Sequence, residues 1–449
     1  MTKPYDLIVI GTGTAAMTAA MRVRAAGWRV AVIDYRPFGG TCALRGCDPK
    51  KMLIGGAEAL DHARRMQGNG VTGDVHVDWQ QLMAFKRTFT DPVPEKMAQR
   101  YQDKDIDTFH GKARFLSEKT LQVAEASVLE GKYFLIASGA EPVKLHIPGE
   151  EHLIDNEGFL TLNTLPKRIA LVGGGFIAAE FSHVAARAGA QVTILQHGQH
   201  MLKAFDPDLV GWLMDSFEAL GIDVQTRTSV VRIEKTTTGY QVHSTLEGTE
   251  SMVEVDVVVH AAGRAPDFAA LDLPVAGVAT DGGRLRLNEF LQSATNPRVN
   301  AAGDAAQKGP PLTPVASHDA KVVAANLLEG NHHKANYAGV PSVAFTIPPI
   351  AAVGLSEAAA RQRGIKLRVQ TARTPTWFTA RQQAEPVYGH KVLIDDETDL
   401  IVGAHLVGPH VAEVINIFAL AIRHGLRADD LKSTMFAYPT GASDVGSML

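Results

Sequence analysis

An apolar stretch from Leu7 to Ile10 follows Asp6 and runs straight into Gly11-Thr12-Gly13-Thr14-Ala15-Ala16. This order predicts a strand over Asp6–Ile10, a glycine turn, a helix to about Ala26, and a second strand over Arg29–Ile33 closed by Asp34. The same order recurs downstream. Arg168–Val172 reads as a strand, Gly173-Gly174-Gly175-Phe176-Ile177-Ala178 as its turn, a helix runs through Glu180 to about Ala188, and Gln191–Leu195 is the next strand. Towards the C-terminus, strands over Lys391–Ile394 and Leu400–Val407 alternate with a helix over His410–His424, whose Val411, Val414, Ile415 and Phe418 fall on one face. The chain shows no other internal repeat, no low-complexity segment, and no apolar run of the ~18 residues that a membrane span requires.

The two glycine turns carry a chemical reading. In the first, Gly11 permits the tight turn, Gly13 lets backbone approach a pyrophosphate, and Ala16 is small enough for helix-on-strand packing. The phosphates then meet free N–H groups at a helix N-terminus. Asp34, 23 residues after Gly11, is placed to accept hydrogen bonds from a ribose. The second turn ends differently, on Gln196-His197-Gly198-Gln199-His200, with no acid. A carboxylate there would repel a 2′-phosphate; its absence, with His197 and Lys203 nearby, points to NADPH, with NADH the alternative. Two such units imply two bound nucleotides.

At 449 residues the chain has room for about two to four domains, each with its own core. A net charge of -4 gives no sign of a polyanion-binding surface, and Lys50-Lys51 and Arg64-Arg65 read as short solvated patches, so no nucleic-acid partner is expected. The start, Met1-Thr2-Lys3-Pro4-Tyr5-Asp6, has no signal-peptide pattern, and a cytoplasmic enzyme is expected. The histidines show no zinc-ligand spacing; no metal site is expected, and His332-His333 reads as exposed loop. Cys42 and Cys47 are the only cysteines, four residues apart in Gly39-Gly40-Thr41-Cys42-Ala43-Leu44-Arg45-Gly46-Cys47-Asp48-Pro49-Lys50. A bridge closing so small a loop stabilises little. A dithiol that opens and closes during turnover explains the pair better.

These motifs together resemble the flavoprotein disulfide reductases, the group of glutathione reductase, dihydrolipoamide dehydrogenase and mercuric reductase. Further segments carry the resemblance: Gly111-Lys112-Ala113, Ser138-Gly139-Ala140-Glu141-Pro142, Ala262-Gly263-Arg264-Ala265-Pro266, Asn300-Ala301-Ala302-Gly303-Asp304 with Leu312-Thr313-Pro314, and Phe345-Thr346-Ile347-Pro348. It implies an α/β fold with two Rossmann-like dinucleotide-binding domains, one for FAD and an inserted one for NADPH, and a C-terminal α+β dimerisation domain. The implied boundaries are 1–143 and 264–330 for FAD, 144–263 for NADPH and 337–449 for the dimer interface. Gly11, Gly13, Thr14, Ala15, Ala16 and Asp34 would then contact FAD, with Thr41, Lys50, Ala113 and Gly139, and with Gly303, Asp304 and Thr313 from the later motif. Gly173, Gly175, Phe176, Ile177 and Gly263, with Gln196, His197 and Lys203, would contact NADPH. By family position Cys47 lies against the flavin, Cys42 is the outward thiol that meets the substrate, and Lys50 pairs with Glu180 beside flavin N5. The helix that opens after Cys47 is expected to favour thiolate.

The chain also departs from the family pattern. Where glutathione and lipoamide enzymes carry a C-terminal His-Pro-Thr and a following glutamate, this chain has Tyr438-Pro439-Thr440, with Ser443 at the glutamate position and Asp444 one residue later. An unperturbed tyrosine titrates near pH ~10 and is a poor base at neutral pH, though it can donate a proton. Leu44-Arg45 replaces Asn-Val between the cysteines, and Asp48 replaces an apolar residue. The expected function is reduction of a small-molecule or protein disulfide other than glutathione or lipoamide, by a homodimer in which the partner donates Tyr438. The alternatives are a reductase of thiophilic metal or metalloid ions and, remotely, a redox-inactive flavin-binding assembly component or sensor.

Overall fold

A computed structural model describes residues 4–125 and 127–449; the expectation resting on Met1-Thr2-Lys3 lies outside the described residues. The chain divides into two compact units. One comprises Met1–Pro49, Lys86–Val143 and Arg264–Tyr337, the other Lys50–Phe85, Lys144–Gly263 and Ala338–Leu449.

The first unit is built on a seven-stranded sheet in the order Asp107–His110, Val30–Asp34, Tyr5–Ile10, Ser127–Ile136, Thr120–Val123, Ala113–Phe115, with Val299–Ala301 also paired to Ser127–Ile136. The central strands run parallel, with Ile10 opposite both Ile33 and Ile136. Tyr5–Ile10 is apolar at nearly every position because both its faces are covered. Leu7 and Val9 join the core formed with the helices Thr14–Ala25 and Thr313–Glu329, while Ile8 and Ile10 face Phe115 and Phe134. The sequence expectation for this segment is met within a residue or two: the first helix ends at Ala25, and the second strand is Val30–Asp34.

The second unit contains three sheets. Asp223–Thr226, Gln191–Gln196, Arg168–Val172 and Val257–His260 form a parallel four-stranded sheet in that order. Thr228–Lys235, Tyr240–Leu246 and Thr249–Val255 make an antiparallel three-stranded meander. Ser342–Ala344, Ile350–Gly354, Ile401–Val407, Gly389–Asp395 and Leu367–Arg373 make an antiparallel five-stranded sheet. The helix Val411–His424 packs on this last sheet through buried Val411, Val414, Ile415 and Phe418, as its spacing predicts. It starts one residue later than expected, since His410 has φ +61° and stands outside the helix. The strand expected at Lys391–Ile394 extends to Gly389–Asp395 through pairing on both sides. No helix among the described residues is long and apolar enough to cross a membrane.

One buried acid fixes a loop of the first unit. Asp319, fully buried in the helix Thr313–Glu329, accepts a hydrogen bond from Gly303 N (3.1 Å) and another from Tyr337 OH (2.8 Å). Burial pushes its carboxyl up to about 6, against 3.8 ordinarily. Above that pH the folded chain must hold a buried charge, so the group's contribution is unfavourable there and is relieved as pH falls through about 6. The melting-temperature difference of Asp319→Asn over wild type should therefore be larger at about pH 7.5 than at about pH 5. Equal differences at the two pH values would count against this.

Candidate functional site

The first glycine turn has the backbone its sequence demands. Gly11 sits at φ +112°, and a Cβ there would lie 2.3 Å from Ala137 O. Its N–H donates to Ile33 O at 2.7 Å, tying the turn to the next strand. The helix Thr14–Ala25 starts at Gly13 with no side-chain cap and no acid in its first turn, which leaves its leading N–H groups open to an anion. Ala16 is fully buried beneath. Gly303, at φ +67°, approaches from the later motif: a Cβ there would stand 3.5 Å from Ala15 Cβ. Asp34 is oriented by Thr12 Oγ1, which donates to Oδ2 at 2.6 Å, and by Arg36 N, which donates to Oδ1 at 3.0 Å. The Gly111-to-Ala113 turn is anchored to the end of the Asp34 strand by Gly111 N donating to Asp34 O at 2.9 Å. Gly139, at φ +79°, leads into the short strand Ala140–Pro142. Burial raises the carboxyl of Asp304, and the charge of Arg264 opposes that rise. A glycine cradle, an uncapped helix start and an oriented acid fit a dinucleotide such as FAD.

The redox segment packs against this turn. Cys42 lies on the short helix Gly40–Arg45, and Cys47 is itself the first residue of the helix Cys47–Arg65. The two are unbridged in this structure. Thr313 Oγ1 donates to Cys42 Sγ at 3.2 Å and lies 3.5 Å from Cys47 Sγ. On its other side, the Cys42 thiol points to Asp48 Oδ1 at 3.9 Å. For Cys42 the expectation of a lowered pKa is corrected. Its thiol is pushed up, first by the hydrogen bond with Cys47, then by burial, with the Asp48 charge adding to the rise and Thr313 opposing it. The physical reason is placement: Cys47, not Cys42, occupies the N-terminus of the longer helix. Thr41 is half-buried, its carbonyl 3.0 Å from where a Cβ on Gly46 would fall.

In the second unit the other glycine turn repeats the first. Gly173 has φ +113°, a Cβ there would lie 2.3 Å from Ala261 O, and its N–H donates to Leu195 O at 2.8 Å. Gly175 starts the helix Phe176–Arg187, again without a cap or an acid in the first turn, and a Cβ on it would meet nothing within 4 Å. Phe176 and Ile177 are half-buried, and Gly263 sits at φ +117°. Gln196 is buried and donates to His200 O at 3.2 Å, so it shapes the loop, while His197 and Lys203 are exposed.

One turn into the same helix, buried Glu180 accepts from Lys50 Nζ at 2.8 Å and from Phe345 N at 2.9 Å. Burial raises the Glu180 carboxyl, and Lys50 works against that rise. Removing either member of such a buried pair strands a charge at about 3–5 kcal/mol, which makes them a unit. The next turns of the helix continue the grip on the Phe345-to-Pro348 segment. His183 Nδ1 accepts from Ile347 N at 3.1 Å, its ring held neutral by burial. Arg187 donates to Ile347 O at 3.2 Å and pairs with Asp61 at 2.6 Å. Sequence reading missed Thr12, Asp61, His183 and Arg187; for the last two, the signal available was polar residues three and seven positions after Glu180 in a mostly apolar helix.

The C-terminal departures have concrete surroundings. Tyr438 is 78% exposed. Asp444 Oδ2 accepts from Tyr388 OH at 2.8 Å, and Ser443 Oγ donates to Thr440 O at 2.6 Å. Both residues near the family's glutamate position are thus engaged in holding the C-terminal segment.

Two dinucleotide turns and a close dithiol define a nucleotide-dependent dithiol oxidoreductase. The chain belongs to the pyridine nucleotide-disulphide oxidoreductases: residues 5–320 match that family, and 340–448 match its dimerisation domain. Members of the family depend on FAD and use NAD(P)H. Mercuric reductase of Staphylococcus aureus is 32% identical over 98% of this chain and 80% of its own. Glutathione reductase of Nostoc sp. is 30% identical over the whole of both chains. The copper(II) complex of the HOCl-induced flavoprotein disulfide reductase RclA from Escherichia coli matches with a TM-score of 0.90 at 28% identity, over 100% of this chain and 99% of that one. The fold class and the family expected from the sequence are those found.

Opposite electrostatic effects at Cys42 give opposite expectations. Thr313→Val removes the hydrogen bond that lowers the Cys42 pKa and should slow iodoacetamide alkylation several-fold near neutral pH. Asp48→Asn removes a charge that raises it and should speed alkylation. Rates moving in the same direction would show that the two side chains do not act through the thiol.

Proposed function

We propose that this chain oxidises NADPH and reduces an acceptor at Cys42, with Cys42 and Cys47 cycling between disulfide and dithiol. The observation that carries the reading is the shared hydroxyl of Thr313, within hydrogen-bond reach of both sulfurs. FAD, when bound, supplies the two-electron relay between nicotinamide and dithiol. Residues 1–143 and 264–330 form its domain, with the Gly11 turn, Asp34, Ala113 and Asp304 holding it. Residues 144–263 hold NADPH through the Gly173 turn, with His197 and Lys203 free to meet a 2′-phosphate. Lys50, fixed by Glu180, supplies a cation where negative charge develops. Residues 337–449 make a homodimer in which Tyr438 reaches the partner's dithiol.

The first acceptor is a small or protein disulfide. Cys42 attacks one sulfur, the other leaves and takes a proton, and Cys47 then closes the Cys42–Cys47 bridge and releases the second thiol. A second reading, a thiophilic divalent cation, is favoured by the Asp48 carboxylate beside Cys42 and by tyrosine in the place of a histidine proton donor. The two differ in proton balance. A disulfide consumes one proton for each NADPH oxidised (NADPH + H⁺ + RSSR gives NADP⁺ + 2 RSH). A divalent ion reduced to the metal releases one (NADPH + M²⁺ gives NADP⁺ + M + H⁺).

Turnover in weakly buffered solution with a small disulfide, and separately with Hg(II), followed by pH and by NADPH absorbance, separates them: faster turnover with proton uptake assigns the disulfide, faster turnover with release assigns the cation. Cys42→Ser should abolish turnover with either acceptor while NADPH still bleaches the bound flavin. Acceptor reduction surviving in that variant would overturn the dithiol route.

A further inference from the structure

Among the described residues, Glu329, His332 and His333 hold their ligating atoms all within 4.8 Å of one another. The sequence reading of His332-His333 as exposed loop is met, but the end of the helix Thr313–Glu329 brings a carboxylate to them, which the spacing did not disclose. Nε2 of His332 and Nε2 of His333 each stand 3.4 Å from the same oxygen, Oε2 of Glu329. Ligand atoms about 2.0–2.1 Å from a tetrahedral ion stand about 3.3 Å apart, so both glutamate–histidine edges have the length of a tetrahedral metal site.

The ring and backbone are set for the purpose. His332 Nδ1 lies 2.7 Å from Gly330 O, and since a carbonyl only accepts, Nδ1 carries a proton, which leaves Nε2 as the ring nitrogen placed to ligate. That Nε2 faces the Glu329 carboxylate oxygen, so both can be turned on one cation. Buried Asn326 pins the loop from below. Its Oδ1 accepts from His332 N (3.1 Å) and His333 N (2.9 Å), and its Nδ2 donates to His333 O (2.8 Å). Gly330, at φ +93°, makes the turn between the helix and this loop.

We propose that Glu329, His332 and His333 bind one divalent cation of the zinc or copper class, apart from the dithiol, with the remaining position open to water. Two imidazoles and one carboxylate suit these borderline ions better than magnesium or calcium, which take oxygen ligands.

The test uses FAD-loaded enzyme whose Cys42 and Cys47 have been blocked with iodoacetamide, titrated with Co²⁺ alone. The expected result is one equivalent bound, with visible absorption of a tetrahedral ion and no sulfur-to-metal charge-transfer band. His332→Ala with His333→Ala should weaken binding by at least about tenfold, and Glu329→Gln should weaken it less. All three side chains are exposed, so these variants should keep the flavin spectrum and, unblocked, their NADPH turnover. Blocked enzyme that takes up no Co²⁺, or takes it up equally well after both histidines are replaced, overturns the proposal.

Discussion

Where the short helix carrying Cys42 meets the first nucleotide turn, two glycines face each other with nothing between them. A Cβ on Gly40 would lie 2.3 Å from Gly13 Cα, and Gly40 takes φ +73°, a backbone conformation that side chains rarely adopt. Any larger residue would lift the redox segment off the turn. The hydrogen bond from Gly39 N to Thr12 Oγ1, at 3.1 Å, would open with it. Through Thr12 that bond reaches Asp34, so one close approach of backbone sets the position of the glycine turn, of Asp34 and of the first cysteine together. Thr313 then meets sulfurs whose location has already been decided.

The sequence made the local part of this legible. Glycine at 11 and 173 announces a backbone that only glycine adopts easily, and both residues do adopt it, at nearly equal angles. Apolar runs and periodicity located the strands and helices to within a residue or two, because those signals depend on neighbours along the chain. The pairing of Lys50 with Glu180 was reachable only through resemblance, since 130 residues separate them. Asp319 with Gly303, and Arg187 with Asp61, went unread: a buried polar side chain finds its partner through tertiary packing, and the residue type alone does not say which partner. Thr313 was expected near the flavin; its bond to Cys42 spans 271 residues and nothing local encodes it.

The departures from the family pattern form a consistent electrostatic picture. Tyr438 takes the place of a histidine, and the nearest acids at that end of the chain are held by the C-terminal fold, Asp444 by Tyr388. Negative charge appears instead within the redox segment, as Asp48 beside Cys42. A carboxylate there discourages a resting thiolate on Cys42 and disfavours anionic partners, while it attracts cations. Here a carboxylate sits next to the Cys42 sulfur, which alters what can approach it.

A threonine hydroxyl carries a single hydrogen. Thr313 stands within reach of both sulfurs, 3.2 Å from one and 3.5 Å from the other, yet can donate to only one at any instant. Rotation about one side-chain bond moves that hydrogen from Cys42 to Cys47. The two sulfurs are therefore never equivalent at one instant: the one that takes the hydrogen is the one whose thiolate is favoured.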